Sequence, residues 1–329
     1  MCELPKVIAS SVVRSTQQGD SHGGLYLVDL ETEKIEKVID WNTVDINWEG
    51  RGKDRGLRGI AFYKDQILIA ASNEIYVFDR LFNKVNSYSN KYLNHCHEIF
   101  VSDDQLYVTS TGFDSILEFD LRSELFTRGF EIRFNNCISF LNNIWQKFKN
   151  NNLVNKPNLK LFDPNSDFGP KQFDQLHLNN IVIHNDYICV SGRKTNNIYG
   201  IKDEMISILA SIPLGTHNAS LLGDDGCVIM NDTNFDLARI INNEGISQNK
   251  FNIPMYSNEE LEMNYIPKDH ARQGFGRGLA IYEDKFLIIG SSPATISVFD
   301  IASSKLIKSI NLSMDVRNAI HGLEIWPFE

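Results

Sequence analysis

Apolar positions along this chain fall in runs of four to eight, separated by two to four polar residues rich in Asp, Asn and Gly. One phrase is written several times. Arg58-Gly-Ile-Ala-Phe-Tyr-Lys-Asp-Gln-Ile-Leu-Ile-Ala-Ala-Ser is followed by Glu74-Ile-Tyr-Val-Phe-Asp79. His97-Glu-Ile-Phe-Val-Ser-Asp-Asp-Gln-Leu-Tyr-Val-Thr-Ser is followed by Ser115-Ile-Leu-Glu-Phe-Asp120, and Arg277-Gly-Leu-Ala-Ile-Tyr-Glu-Asp-Lys-Phe-Leu-Ile-Ile-Gly-Ser by Thr295-Ile-Ser-Val-Phe-Asp300. Looser copies start at Asn179 and near His217. Short apolar runs bounded by such turns are antiparallel strands, and a unit of about 40 residues with three or four of them has the size of a propeller blade.

The two ends of the chain complement each other. His321-Gly-Leu-Glu-Ile-Trp-Pro reads as the first strand of a blade, whereas Val7-Ile-Ala-Ser-Ser-Val-Val, Gly24-Leu-Tyr-Leu-Val-Asp29 and Lys34-Ile-Glu-Lys-Val-Ile39 read as strands lacking a first one. Joining them closes the ring and leaves no sheet edge open. The pattern predicts an all-β, six-bladed β-propeller occupying residues 1–329 as one domain. Its blades are 319–329 with 6–40, then 57–88, 96–133, 178–213, 217–257 and 276–311. Seven blades is the alternative, because positions 97 and 179 lie 82 residues apart, twice the 39 between 58 and 97. Against it, Ile138-Ser-Phe-Leu-Asn-Asn-Ile-Trp-Gln-Lys-Phe-Lys has helical spacing, and Asn150 to Phe173 offers no clean hairpin. Segment 134–176 is thus expected to be an inserted helix and loop, a candidate lid over one mouth.

Aligning the copies places Arg58, His97, Asn179, Asn218, Arg277 and His321 at the start of the innermost strand of each blade, the strand that lines the central channel. A one-residue bulge in the fifth blade would present His217 in place of Asn218. His95 and His177 stand two residues upstream on the same strand face, while His22, His184 and His270 are expected in turns or loops. Three roles are open to the clustered imidazoles. His97, His177, His217 and His321 could bind a divalent metal such as iron or zinc. His97 and His177 could move protons. All of them could be structural. Arg58 and Arg277 share an Arg-Gly-[Ile/Leu]-Ala phrase, preceded in glycine-rich loops by Arg51, Arg55 and Arg272. With Asn179 and Asn218 they are candidates for gripping a planar anion, the alternative being ion pairs that brace neighbouring blades.

Composition narrows the partners. Of 329 residues, 42 are acidic and 32 basic, a net charge of −10 without a dense basic run, which argues against nucleic acid and against an anionic membrane surface. The opening residues lack a signal-peptide pattern, no run approaches 18 apolar residues, and five scattered cysteines form no Cys-x-x-Cys pair, so a cytoplasmic protein is expected. There is no nucleophile elbow and no Gly-His…Trp-Asp propeller signature.

The succession His177-Leu-Asn-Asn, Pro213-Leu-Gly-Thr-His-Asn-Ala-Ser and Gly276-Arg-Gly-Leu-Ala is similar to the His-Leu-Asn, Pro-His-Ser-like and Arg-Gly-Leu-Ala steps of an uncharacterised bacterial β-propeller family, over roughly residues 90–325. The second step departs from the family pattern, with three residues between Pro213 and His217 and no arginine after it. The resemblance implies the propeller fold and a site at His177, Asn179, His217 and Arg277. A more distant likeness, to the gluconolactonase and strictosidine-synthase propellers, is one of architecture only. Two functions are consistent with these residues. One is a small-molecule enzyme (lyase, isomerase, hydrolase or oxygenase) holding a small anionic metabolite at the channel mouth; the other is a non-catalytic ligand-binding or protein-interaction propeller.

Overall fold

The Phe-Asp pairs divide their labour between core and turn. In the computed structural model, which describes residues 3–16, 19–42, 56–134, 157–266 and 271–328, Asp79 and Asp120 close outer hairpins through Oδ1. Asp79 accepts the backbone N–H groups of Leu81 and Asn83, and Asp120 those of Arg122 and Ser123. A carboxylate that binds backbone two to four residues on fixes the turn, which explains the recurrence of Asp there. The preceding Phe78, Phe119 and Phe299 alternate to the other face and are buried between sheets.

Six antiparallel sheets result, and the six-bladed propeller is the fold. Blade 1 unites both ends of the chain, with Asn318–Ile325 innermost and then Lys6–Val13, Ser21–Asp29 and Lys34–Asn42. Blades 2 to 6 occupy 60–89, 96–162, 178–211, 216–252 and 279–311, each running outward from its first strand. Blade 3 carries the correction to the sequence reading. Pro157–Phe162, expected inside a strandless insertion, pairs with Leu125–Phe134 as a fifth, outermost strand. Its alternation Leu159, Leu161 is too short to stand out among the neighbouring Asn and Pro residues. The helix expected at 138–149 lies outside the described residues, and among the described residues no α-helix occurs. His22, expected in a turn or loop, instead lies in Ser21–Asp29, fully buried, with Nδ1 2.6 Å from Thr16 Oγ1. His184 ends the strand Leu178–His184, and His270 is outside the described residues. Among the described residues no helix is long and apolar enough to cross a membrane.

Each hydrophobic core cluster belongs to two blades at once. Ile8 and Leu25 of blade 1 pack with Ile60, Ile67 and Ile69 of blade 2, and Val7 and Val28 pack on the other side with Ile288, Ile296 and Val298 of blade 6. A blade alone therefore buries neither face, and stability depends on the ring being complete. Closure is made by the blade 1 pairing of Lys6–Val13 with Asn318–Ile325. It is reinforced by Ser10, whose buried Oγ donates to Arg58 O (2.5 Å) and accepts the Gly322 N–H (2.8 Å). Gly322 permits this approach, since a Cβ there would lie 2.3 Å from Arg58 O.

Two substitutions test the closure. Ser10→Ala, which strands a buried carbonyl and a buried N–H, is expected to cost about 1–3 kcal/mol. Gly322→Ala, which forces strand and carbonyl apart, is expected to cost a similar ~1–3 kcal/mol. Urea unfolding midpoints equal to wild type for both would refute this account of how the ring is sealed.

Candidate functional site

The innermost strands slip register where the recurring polar residues stand. The slips fall between Cys96 and Ile99, Leu178 and Asn180, and His217 and Ser220, and in Asn318–Ile325 between Ile320 and Leu323. A bulge re-aims side chains that strict alternation would send into the sheet stack. His95 and His177, matched by their place in the repeat, share a left-handed backbone, with φ of +51° and +53°. The described end of the insertion delivers the last of these residues. Asp114 accepts the Gln175 N–H (2.7 Å) and Leu176 N–H (3.0 Å), fixing the chain just before His177. Burial raises the Asp114 carboxyl to about 6 despite those bonds.

These features bring the predicted residues together at one mouth. The His97 ring lies 5.3 Å from that of His177 and 6.2 Å from that of His321. Arg277 Nη1 sits 2.5 Å from His321 Nε2, and its guanidinium lies 4.7 Å above the Phe275 ring, which also meets the His217 ring at 5.5 Å. Arg58, 1% exposed, donates from Nη1 to Cys96 O (2.9 Å). Both arginines thus reach across to the next blade, in keeping with the bracing alternative, while their charges fall on the imidazoles.

Hydrogen-bond logic assigns the imidazole tautomers. His97 Nδ1 meets His95 O (2.8 Å) and Thr111 Oγ1 (2.9 Å). The carbonyl can only accept, and the Thr111 hydroxyl hydrogen goes to Leu178 O at 2.5 Å, so Nδ1 carries the proton and Nε2 is the acceptor nitrogen. His217 repeats this with Gly215 O (3.3 Å). In His321 the guanidinium donor makes Nε2 the acceptor. Burial, followed by the charges of the arginines, pushes His97, His217 and His321 well below the ordinary imidazole range. His177 differs: its side chain is 24% exposed, and Nδ1 lies 2.8 Å from Asp174 Oδ2. Burial alone would raise Asp174, but the His177 hydrogen bond and the charges of His177 and Lys194 hold it below the ordinary carboxylate range.

Further along the same strands lies a second layer. Glu98 Oε1 accepts from Asn218 Nδ2 (3.2 Å) across the channel. Burial and the neighbouring Glu324 push Glu98 well above the carboxyl range, and burial raises Glu324 to about 8. Asn218 is committed to the protein on its other side too, since Oδ1 accepts the Gly278 N–H (3.0 Å) and Asn231 Nδ2 (3.3 Å). Asn179 Nδ2 donates to Thr216 O (3.2 Å). Arg272 binds Asp236 and Thr233 O, a bracing role, while Arg51 and Arg55 lie outside the described residues.

Among the described residues no group of three or more His, Cys, Asp or Glu side chains is arranged to hold a metal ion. Sequence reasoning missed Asp174, Thr111 and Phe275. Asp174 stands three residues before His177, a spacing too common to single out. Phe275, ringed by the guanidinium groups of Arg14, Arg272 and Arg277 at 5.2, 4.9 and 4.7 Å, had only its Gly-Phe-Gly setting as a signal.

No family model matches the chain, and no curated protein matches it. Solved structures do resemble it. A protein of unknown function from Bacteroides caccae aligns over 97% of this chain and 98% of its own at 12% identity, with a TM-score of 0.56. A chain from a nidogen/laminin complex aligns over 97% of each at 12% identity, with a TM-score of 0.57. At such identity the likeness is one of fold, and it supports the propeller expected from the family resemblance without supporting its motif steps. Virginiamycin B lyase from Staphylococcus aureus, covering 81% of this chain and 73% of its own at 14% identity, has a TM-score of 0.46, too loose to add to this.

The two layers oppose each other in pH. Imidazoles with lowered folded pKa values leave the unfolded chain binding more protons below 6.5, so they remove stability as pH falls through that value. Glu324, raised from 4.5 to about 8, binds its proton more tightly in the fold and removes stability as pH rises between those values. Glu324→Gln is therefore expected to lose less stability than wild type between pH 6.5 and 8, measured as the shift in Tm. Parallel curves would contradict the assignment.

Proposed function

We propose that the protein is a small-molecule enzyme that binds an anionic metabolite at the channel mouth and moves a proton on it. The observation that carries this reading is the Asp174–His177 pair, partly open to solvent and set against His97, on which the charges of Arg58 and Arg277 act. A carboxylate on Nδ1–H orients the ring, leaves Nε2 to take a proton and stabilises the imidazolium that forms. Arg277 and Arg58 would hold the substrate's carboxylate, in surroundings whose low polarity strengthens each charge–charge contact. His97, kept neutral with its proton on Nδ1, would accept a hydrogen bond at Nε2 or relay the proton. With no nucleophile elbow, proton transfer of the isomerase or lyase type fits these groups better than acyl hydrolysis. The metal-bound version at His97, His177, His217 and His321 finds less support, because Arg277 occupies His321 Nε2 and places a positive charge beside His217. Asn218 is better read as a support for Glu98 than as a substrate contact.

Hydrogen exchange tests the reading on mixtures of candidate substrates. Pools of small carboxylic acids incubated with the protein in deuterium oxide should show carbon-bound deuterium by NMR in at least one compound. His177→Gln should slow that exchange by about 10²-fold or more. Arg277→Gln should raise the half-saturating concentration. The binding-protein alternative, which the backbone bonds of His97 and His217 favour, predicts saturable anion binding with no exchange at all.

A further inference from the structure

On the innermost strands of blades 4 and 5, two acceptors, Asn179 Oδ1 and His217 Nε2, have no hydrogen-bond partner among the described residues, and both residues are 2% exposed. Neither can be satisfied by turning the group over. His217 holds its proton on Nδ1 against Gly215 O, and Asn179 commits its NH₂ to Thr216 O, which sets the amide against the peptide just before His217. Both atoms are therefore pure acceptors on neighbouring blades, and what completes them must bring hydrogens. Arg277 bears on the choice of donor: its positive charge acts on His217 and disfavours an ammonium group or a metal ion there, but not a neutral hydroxyl.

Resting on the reading of an arginine-held anion, we propose that the ligand is a hydroxylated carboxylate. Its carboxylate lies toward Arg277 and Arg58, and its hydroxyl hydrogens are donated to His217 Nε2 and Asn179 Oδ1. The site is selective because a ligand without those hydroxyls leaves buried acceptors unpaired, the arrangement by which proteins discriminate most sharply against a missing polar group.

The ladder propionate, lactate, glycerate, which carries none, one and two hydroxyls on one carbon skeleton, measures this by calorimetric titration of the whole chain. Affinity is expected to rise by about tenfold or more over the series. His217→Phe should bring glycerate down toward propionate, and His217→Gln, which keeps an acceptor, should restore part of the preference. If the three acids bind equally well and Arg277→Gln weakens all three, the hydroxyl proposal is overturned and the anion reading survives. If none binds, the anion reading fails and takes this proposal with it. Stoichiometric zinc binding that disappears in His217→Phe would also overturn it, in favour of a metal at this atom.

Discussion

The whole molecule depends on circular closure, and one hydroxyl oxygen ties that closure to the site. Every core cluster lies between two blades, so an open ring would leave two apolar sheet faces in water. Ser10 Oγ, near the start of the chain, holds Gly322 from its end and the carbonyl of Arg58 in the next blade. The main chain that seals the ring is therefore the same main chain that positions a guanidinium in the channel, and its neighbour His321 receives the other arginine.

The channel is electrically layered as a consequence of burial. At one mouth, arginine charges next to desolvated imidazoles hold His97, His217 and His321 neutral. Beyond them, Glu98 and Glu324 are driven toward their protonated forms by lack of water, and Glu98 also by the charge of Glu324. Within a chain of net charge −10, the histidine layer is thus a place where guanidinium charge is concentrated and where Asp174 is held by His177. At neutral pH the raised carboxyls cost stability, since burial keeps them from ionising, and groups with charge states perturbed in this way are commonly found where ligands bind.

The sequence by itself determined the six blades, the joining of the two ends and the convergence of Arg58, His97, His177, Arg277 and His321. Those follow from local rules: apolar runs make strands, Asp and Gly make their turns, and equal spacing around a ring brings equivalent positions to one axis. It also carried the bulge that presents His217. Other features were decided only in three dimensions. Asp174 finds His177 because Asp114 pins the chain between them, and Phe275 becomes the floor under the guanidinium groups of its sequence neighbours Arg272 and Arg277 and of the distant Arg14. Asn218 turns to Glu98 across the channel, His22 is drawn into a sheet, and Pro157–Phe162 adds a strand to blade 3. Periodicity is blind to such choices, because a repeat specifies where a backbone passes. Which lone pair meets which hydrogen is settled by bulges and by loops that do not repeat.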